Sequence, residues 1–83
     1  MDLKHSIKAH LIEALNLEHL TPEDIADDDN LFGEKIGLDS IDALEIIVML
    51  DTQYQVKIAD PDQGKEVMQT VNSLAGYIEN YHP

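Results

Sequence analysis

The 83 residues of this chain amount to 9.3 kDa, enough for one small domain and too little for a second fold or a large enclosed active site. Seventeen Asp and Glu against five Lys and no Arg leave a formal charge of −12 at pH 7, which excludes a phosphate-binding surface for DNA, RNA or an anionic membrane. There is no Cys, hence no disulfide, thiolate metal site or cysteine nucleophile. No apolar run approaches the roughly 20 residues of a membrane span, and Met1-Asp2-Leu3-Lys4-His5 does not read as a secretory signal. With 43% hydrophobic residues a core is within reach, so the expectation is a soluble, cytoplasmic, monomeric acidic domain whose partners are basic proteins.

Leu3, Ile7, Leu11 and Leu15 recur at helical spacing with Ile12 and Ala14 beside them, and predict an amphipathic helix over 3–16 with Asn16 as its stop. Leu20-Thr21-Pro22-Glu23-Asp24-Ile25 is a helix-start signal: Thr21 as N-cap, Pro22 at the first helical position, Asp24 as the capping-box acid. It opens one turn only, because Asp27-Asp28-Asp29-Asn30 repel one another and favour turns. Residues 27–39 read as a loop pinned by Leu31, Phe32, Ile36 and Leu38, with Gly33 and Gly37 free to adopt unusual backbone angles.

A second helix is predicted from Ser40 to about Tyr54. At about 100° per residue its core face holds Ala43, Leu44, Ile46, Ile47, Leu50 and Tyr54. Asp42, Glu45, Met49, Thr52 and Gln53 fall opposite, with Ile41 and Val48 at one edge. A short, poor helix follows over about 62–69, weakened by Gly64. Thr70 then caps a last helix with the stripe Val71, Leu74, Ala75 and Ile78. No strand-period alternation occurs, and the sum is an all-α fold, a small four-helix bundle in which residues 1–83 form a single domain. The long connection between the first two good helices exceeds the usual bundle loop, which points to a task for it.

Enzymatic readings fail quickly. Ser40 is followed by Ile41-Asp42, not by the glycine of a nucleophile elbow, and no phosphate-binding glycine pattern exists. His5, His10, His19 and His82 share no metal spacing and read as solvated surface residues. Asp60-x-Asp62-x-Gly64 begins like a calcium loop, but Lys65 and Val71 occupy positions that need Gly and Glu. A solvated acidic turn is the reading of Asp27–Asp29.

What remains is Gly37-Leu38-Asp39-Ser40-Ile41-Asp42-Ala43-Leu44-Glu45, a serine between a glycine-bearing loop and an acidic amphipathic helix. The bland reading makes Ser40 a helix N-cap. That leaves unexplained a face on which Ile41, Val48 and Met49 surround Asp42 and Glu45, a pattern suited to a partner with an apolar notch and basic rim. A serine hydroxyl at a helix start also suits a phosphodiester, favoured by the free first-turn N–H groups and the helix dipole.

At these residues the sequence resembles the acyl carrier proteins, small four-helix carriers whose Asp-Ser-Leu serine bears 4′-phosphopantetheine. The resemblance extends over about residues 3–81: Leu20–Ile25 resembles the family's first loop, Leu31-Phe32 and Gly37–Glu45 its approach and second helix, and Thr70-Val71, Leu74-Ala75 and Tyr77-Ile78 its last helix. It implies that Ser40 is the attachment site, making the modified chain a phosphoprotein, and Asp39 its motif partner. It further implies that Ile41, Asp42, Glu45, Val48 and Asp51 belong to the surface read by partner enzymes. On the helical wheel Asp51 falls near the core face, unlike the other four.

The implied partners are a phosphopantetheinyl transferase using coenzyme A and magnesium, and acyl-transferring and condensing enzymes with basic docking patches. The terminal thiol of the arm supplies the thioester that this cysteine-free chain cannot. Two departures stand out. Ile41 replaces the commoner leucine, a conservative change. The stretch from Tyr54 to Val71 is about two residues longer than in common fatty-acid carriers, in the region that walls the family's acyl pocket, so fatty-acid, polyketide and other specialised lipid pathways all remain open. The rival readings are an aminoacyl or peptidyl carrier, which Gly37-Leu38-Asp39-Ser40 fits less well than the usual Gly-Gly-[His/Asp]-Ser, an unmodified acidic adaptor and a calcium sensor. Residues 21–60 hold eleven of the seventeen acids and two of the five lysines, a net −9, so self-repulsion should leave the fold marginal.

Overall fold

A computed structural model describes residues 2–58 and 61–81, apart from the side chains of 61–63. Its helices are α1 (Leu3–Ala14), α2 (Ser40–Tyr54), α3 (Pro61–Val67) and α4 (Val71–Glu79), with one 3-10 turn at Pro22–Asp24 and no strand among the described residues. The four-helix, all-α expectation holds. The first helix stops two residues early because Asn16 turns into the left-handed region at φ 55°, where asparagine is among the more tolerant residues, and Leu17 N–H closes back on Ile12 O at 2.9 Å.

The local start signals fold as the sequence chemistry dictates. Thr21 N–H donates to Asp24 Oδ2 at 2.8 Å, closing the 3-10 turn. Thr70 and Ser73 exchange backbone-to-side-chain bonds of 3.0 Å each at the head of α4. The Ser73 hydroxyl also donates to Val67 O, which ties the end of α3 to the start of α4.

Helix α1 packs on α2, α4 and the 3-10 turn, and α3 packs on α4. One buried cluster joins Ile7 and Leu11 of α1, Ile46, Met49 and Leu50 of α2, Val67 and Met68, and Val71, Leu74 and Ala75 of α4. Each Val, Leu, Ile or Met side chain fully buried there contributes roughly 1.5–3 kcal/mol of transfer free energy against the entropy of ordering it.

The long loop is held from inside. Ile25, Leu31, Ile36 and Leu38 are all buried. Leu31 N–H donates to Gln69 O at 2.8 Å, and Leu31 O accepts from Leu38 N–H at 3.2 Å. Gly37 takes φ 77° where the chain turns into α2, a conformation that costs a side chain-bearing residue roughly 1–2 kcal/mol. Gly33 has no such angle; its constraint is space, since an added Cβ would stand 3.2 Å from Asn30 O.

The acidic run is not simply solvated. Asp27 receives Lys8 Nζ at 2.7 Å and Lys4 Nζ at 3.9 Å, and its carbonyl accepts Asn72 N–H of α4 at 2.9 Å. Asp29 receives Lys35 Nζ at 2.9 Å and Ala26 N–H at 2.9 Å. These bonds hold both carboxyls below the usual carboxylate range, Lys8 being the main cause at Asp27 and Lys35 at Asp29. Thr21 N–H does the same for Asp24.

His10 departs from the surface-histidine expectation. It is half-buried, with its ring edge-on to Tyr54 at 5.4 Å between centroids. Tyr54 Oη lies 2.9 Å from His10 Nδ1 and 2.8 Å from Ser6 Oγ, which pins the far end of α2 to α1. His82 and Asp60, from the histidine and calcium-loop readings, lie outside the described residues.

Candidate functional site

The site begins with how α2 starts. Asp39, not Ser40, is the N-cap: its Oδ1 accepts Ile41 N–H at 3.0 Å and Asp42 N–H at 3.1 Å, and Asp42 Oδ2 answers by accepting Asp39 N–H at 3.1 Å. This capping box corrects two expectations. The cap reading of Ser40 fails because the preceding aspartate does that work. Two of the first-turn N–H groups expected to favour a phosphodiester, those of Ile41 and Asp42, are already taken by the Asp39 carboxylate. Ser40 is therefore the first helical residue, exposed, with a hydroxyl that makes no hydrogen bond among the described residues.

Beside that hydroxyl opens a cleft of about 630 Å3 bounded by Ser40, Phe32, Leu44, Ile47 and Met68, with Lys65 also in its wall. The volume lies in the range of small-ligand sites. A second, smaller cleft of about 140 Å3 lies between α1 and α2 at His10, Glu13, Glu45 and Met49. Among the described residues no three His, Asp and Glu side chains converge as a metal site.

The outer face of α2 differs from the helical wheel by a rotation. Met49, expected opposite the core, is 4% exposed, and Leu44, expected in the core, is 60% exposed. The cause is tertiary: α1 covers the flank of Ile46, Met49 and Leu50, while the flank of Leu44 and Ile47 borders the open cleft. The exposed apolar row is thus Ile41, Leu44 and Val48, with Glu45 among them. Asp51 is exposed one turn beyond, away from the buried arc where the wheel put it. Asp42 is half-buried and occupied by its capping bond, so its carboxylate is less available than those of Glu45 and Asp51. Leu44 was missed as a surface residue because periodicity marks which residues are apolar, not which of them a neighbour covers.

A family model described as the phosphopantetheine attachment site matches residues 5–78. The chain belongs to the acyl carrier protein family. It is 31% identical over 80 residues to an acyl carrier protein of Sulfurovum, covering 96% of this chain and 99% of that protein. An acyl carrier protein of Wolinella succinogenes is 32% identical over 79 residues, covering 95% of this chain and 96% of its own length. One from Helicobacter hepaticus is 31% identical over 81 residues, covering 95% and 96% respectively. As a member of this family the chain is a carrier rather than an enzyme, and its prosthetic group is 4′-phosphopantetheine. The residues present fit that group: an exposed hydroxyl relieved of capping duty, facing an apolar-walled cleft. No helix among the described residues is long and apolar enough to cross a membrane.

Proposed function

We propose that Ser40 Oγ is the attachment atom of the phosphopantetheine arm, and that the chain carries acyl groups on it for fatty-acid, polyketide or related lipid synthesis. The observation that supports this best is the division of labour at the α2 start, where Asp39 caps the helix and leaves the Ser40 hydroxyl exposed and unengaged. A phosphopantetheinyl transferase would join Ser40 Oγ to phosphorus by displacing the adenosine bisphosphate part of coenzyme A, the hydroxyl proton passing to a base on the transferase. When bound, the arm supplies a terminal thiol for thioester linkage. The protein's own contributions are to hold Ser40 at a rigid helix start and to offer the cleft walled by Phe32, Ala43, Leu44, Ile47 and Met68 to the cargo. Dependence on coenzyme A supports a cytoplasmic setting for this work.

The row Ile41, Leu44 and Val48, with Glu45 and Asp51, is the surface presented to acyl-handling enzymes bearing basic patches. Exposed charge pairs are individually weak and screened by salt, which suits partners that must let go. Asp42 contributes to that surface chiefly by keeping the helix start in place.

Intact mass after incubation with coenzyme A, magnesium and a broad-specificity transferase tests the proposal. Wild type should gain one phosphopantetheine, while Ser40→Ala should gain none and keep its helical circular dichroism and melting temperature. A gain by Ser40→Ala, or none by folded wild type with several transferases, would overturn the assignment.

A further inference from the structure

Gly64 stands inside α3, where glycine is among the least favourable residues for a helix, and it is buried. A Cβ there would lie 3.2 Å from Met68 Cε, 3.2 Å from Ile58 Cγ2 and 4.0 Å from Ile47 Cδ1. Met68 and Ile47 are also walls of the cleft beside Ser40, whereas Gly64 does not line it. Two side chains that bound the cleft thus reach back to a bare Cα behind them.

We propose that Gly64, acting through Met68, sets the length of aliphatic acyl chain that the cleft shelters. This deepens the carrier reading and rests on attachment at Ser40. The walls Phe32, Ala43, Leu44, Ile47 and Met68 are apolar, so each carbon of a linear chain entering between them leaves water until it meets a wall that does not yield. Met68 is the adjustable wall. Its unbranched thioether has three rotatable bonds, while Ile58 is β-branched and stiff at χ1. A methyl added at Gly64 is therefore relieved by moving Met68 Cε, and the way open to it is into the cleft. Glycine at this position keeps Met68 drawn back and the cleft at its present depth.

The test is a ladder of linear acyl groups, from acetyl to palmitoyl in steps of one carbon pair, loaded on Ser40 as acyl-phosphopantetheine by the transferase from the acyl-coenzyme A thioesters, with adenosine bisphosphate leaving. Intact mass proves loading, and the melting temperature is read against chain length. Wild type should gain stability with each step up to a break and then level off. Gly64→Ala should bring the break about one step earlier, as expected for one methyl forced into a packed wall. Met68→Ala should delay it by about one step or more, since truncation opens room. Met68→Val serves the same purpose if the alanine variant does not fold. A variant that lowers every melting temperature equally while leaving the break in place would make Gly64 a packing residue only and overturn the inference. So would a wild-type ladder with no dependence on length. Failure of wild type to load at all would instead count against the Ser40 assignment.

Discussion

The two flanks of α2 carry the same kinds of apolar residue and have opposite fates. On one, Ile46, Met49 and Leu50 are sealed in the core with Ile7 and Leu11 of α1. On the other, Leu44 borders the cleft and, like Ile41 and Val48, stays largely exposed. The difference lies in the neighbours and not in the side chains: α1 covers the first flank, whereas the second borders the cleft. The flank that packing leaves open is the one on which we propose the carrier function rests.

The comparison breaks most sharply on two leucines. Leu50→Ala should cost about 2–5 kcal/mol, because the site is fully buried and cannot collapse freely, and denaturant melts would show it. Leu44→Ala should change stability by no more than about 0.5 kcal/mol while weakening capture by partner enzymes. Equal destabilisation by both would refute the exposed position of Leu44. A smaller effect sharpens the other end of the helix. Tyr54→Phe keeps the ring against His10 but removes the hydroxyl shared by Ser6 and His10, at a cost of about 1 kcal/mol in thermal unfolding.

The acids divide in the same way. Three of the five lysines are spent on Asp27 and Asp29 in the loop, none of those pairs reaching α2. The depressed carboxyls of Asp24, Asp27 and Asp29 bind protons less readily folded than unfolded. Their stabilisation is therefore complete above about pH 4 and is lost as the pH falls through their lower folded values. Asp27→Asn should lower the melting temperature at neutral pH and flatten that acid limb, an effect of exposed pairs that shrinks with added salt. Glu45→Gln should have the smallest effect on the fold, a slight gain from relieved repulsion. Its signature would be slower association with basic partners, most evident at low ionic strength.

Much of this was legible along the chain. The capping pair Thr21–Asp24, the Thr70 N-cap, the Ser40–Tyr54 helix and the buried pins of the long loop all depend on interactions between near neighbours or on side chains with one favourable environment. The position of Ser40 at the helix start was legible too, though the capping chemistry there belongs to Asp39. The errors share a cause. Leu44 and Met49 exchanged places because a helical wheel fixes angles but not the direction of the partner helix. His10 changed from a surface residue to a pin because Tyr54, which meets it, is forty-four residues away in sequence. Asp27 and Asp29 changed from repelling to tethered through lysines that only the fold brings near.

Sequence alone determined a small, acidic, all-helical chain with a serine at the start of its second helix, since composition, periodicity and capping act over a few residues. Only the tertiary structure decided which flank of that helix is covered, which acids are paired, and that α3 rests a bare glycine against the residues walling the cleft. Those depend on distances between segments far apart along the chain, and the packing of one helix against another sets them.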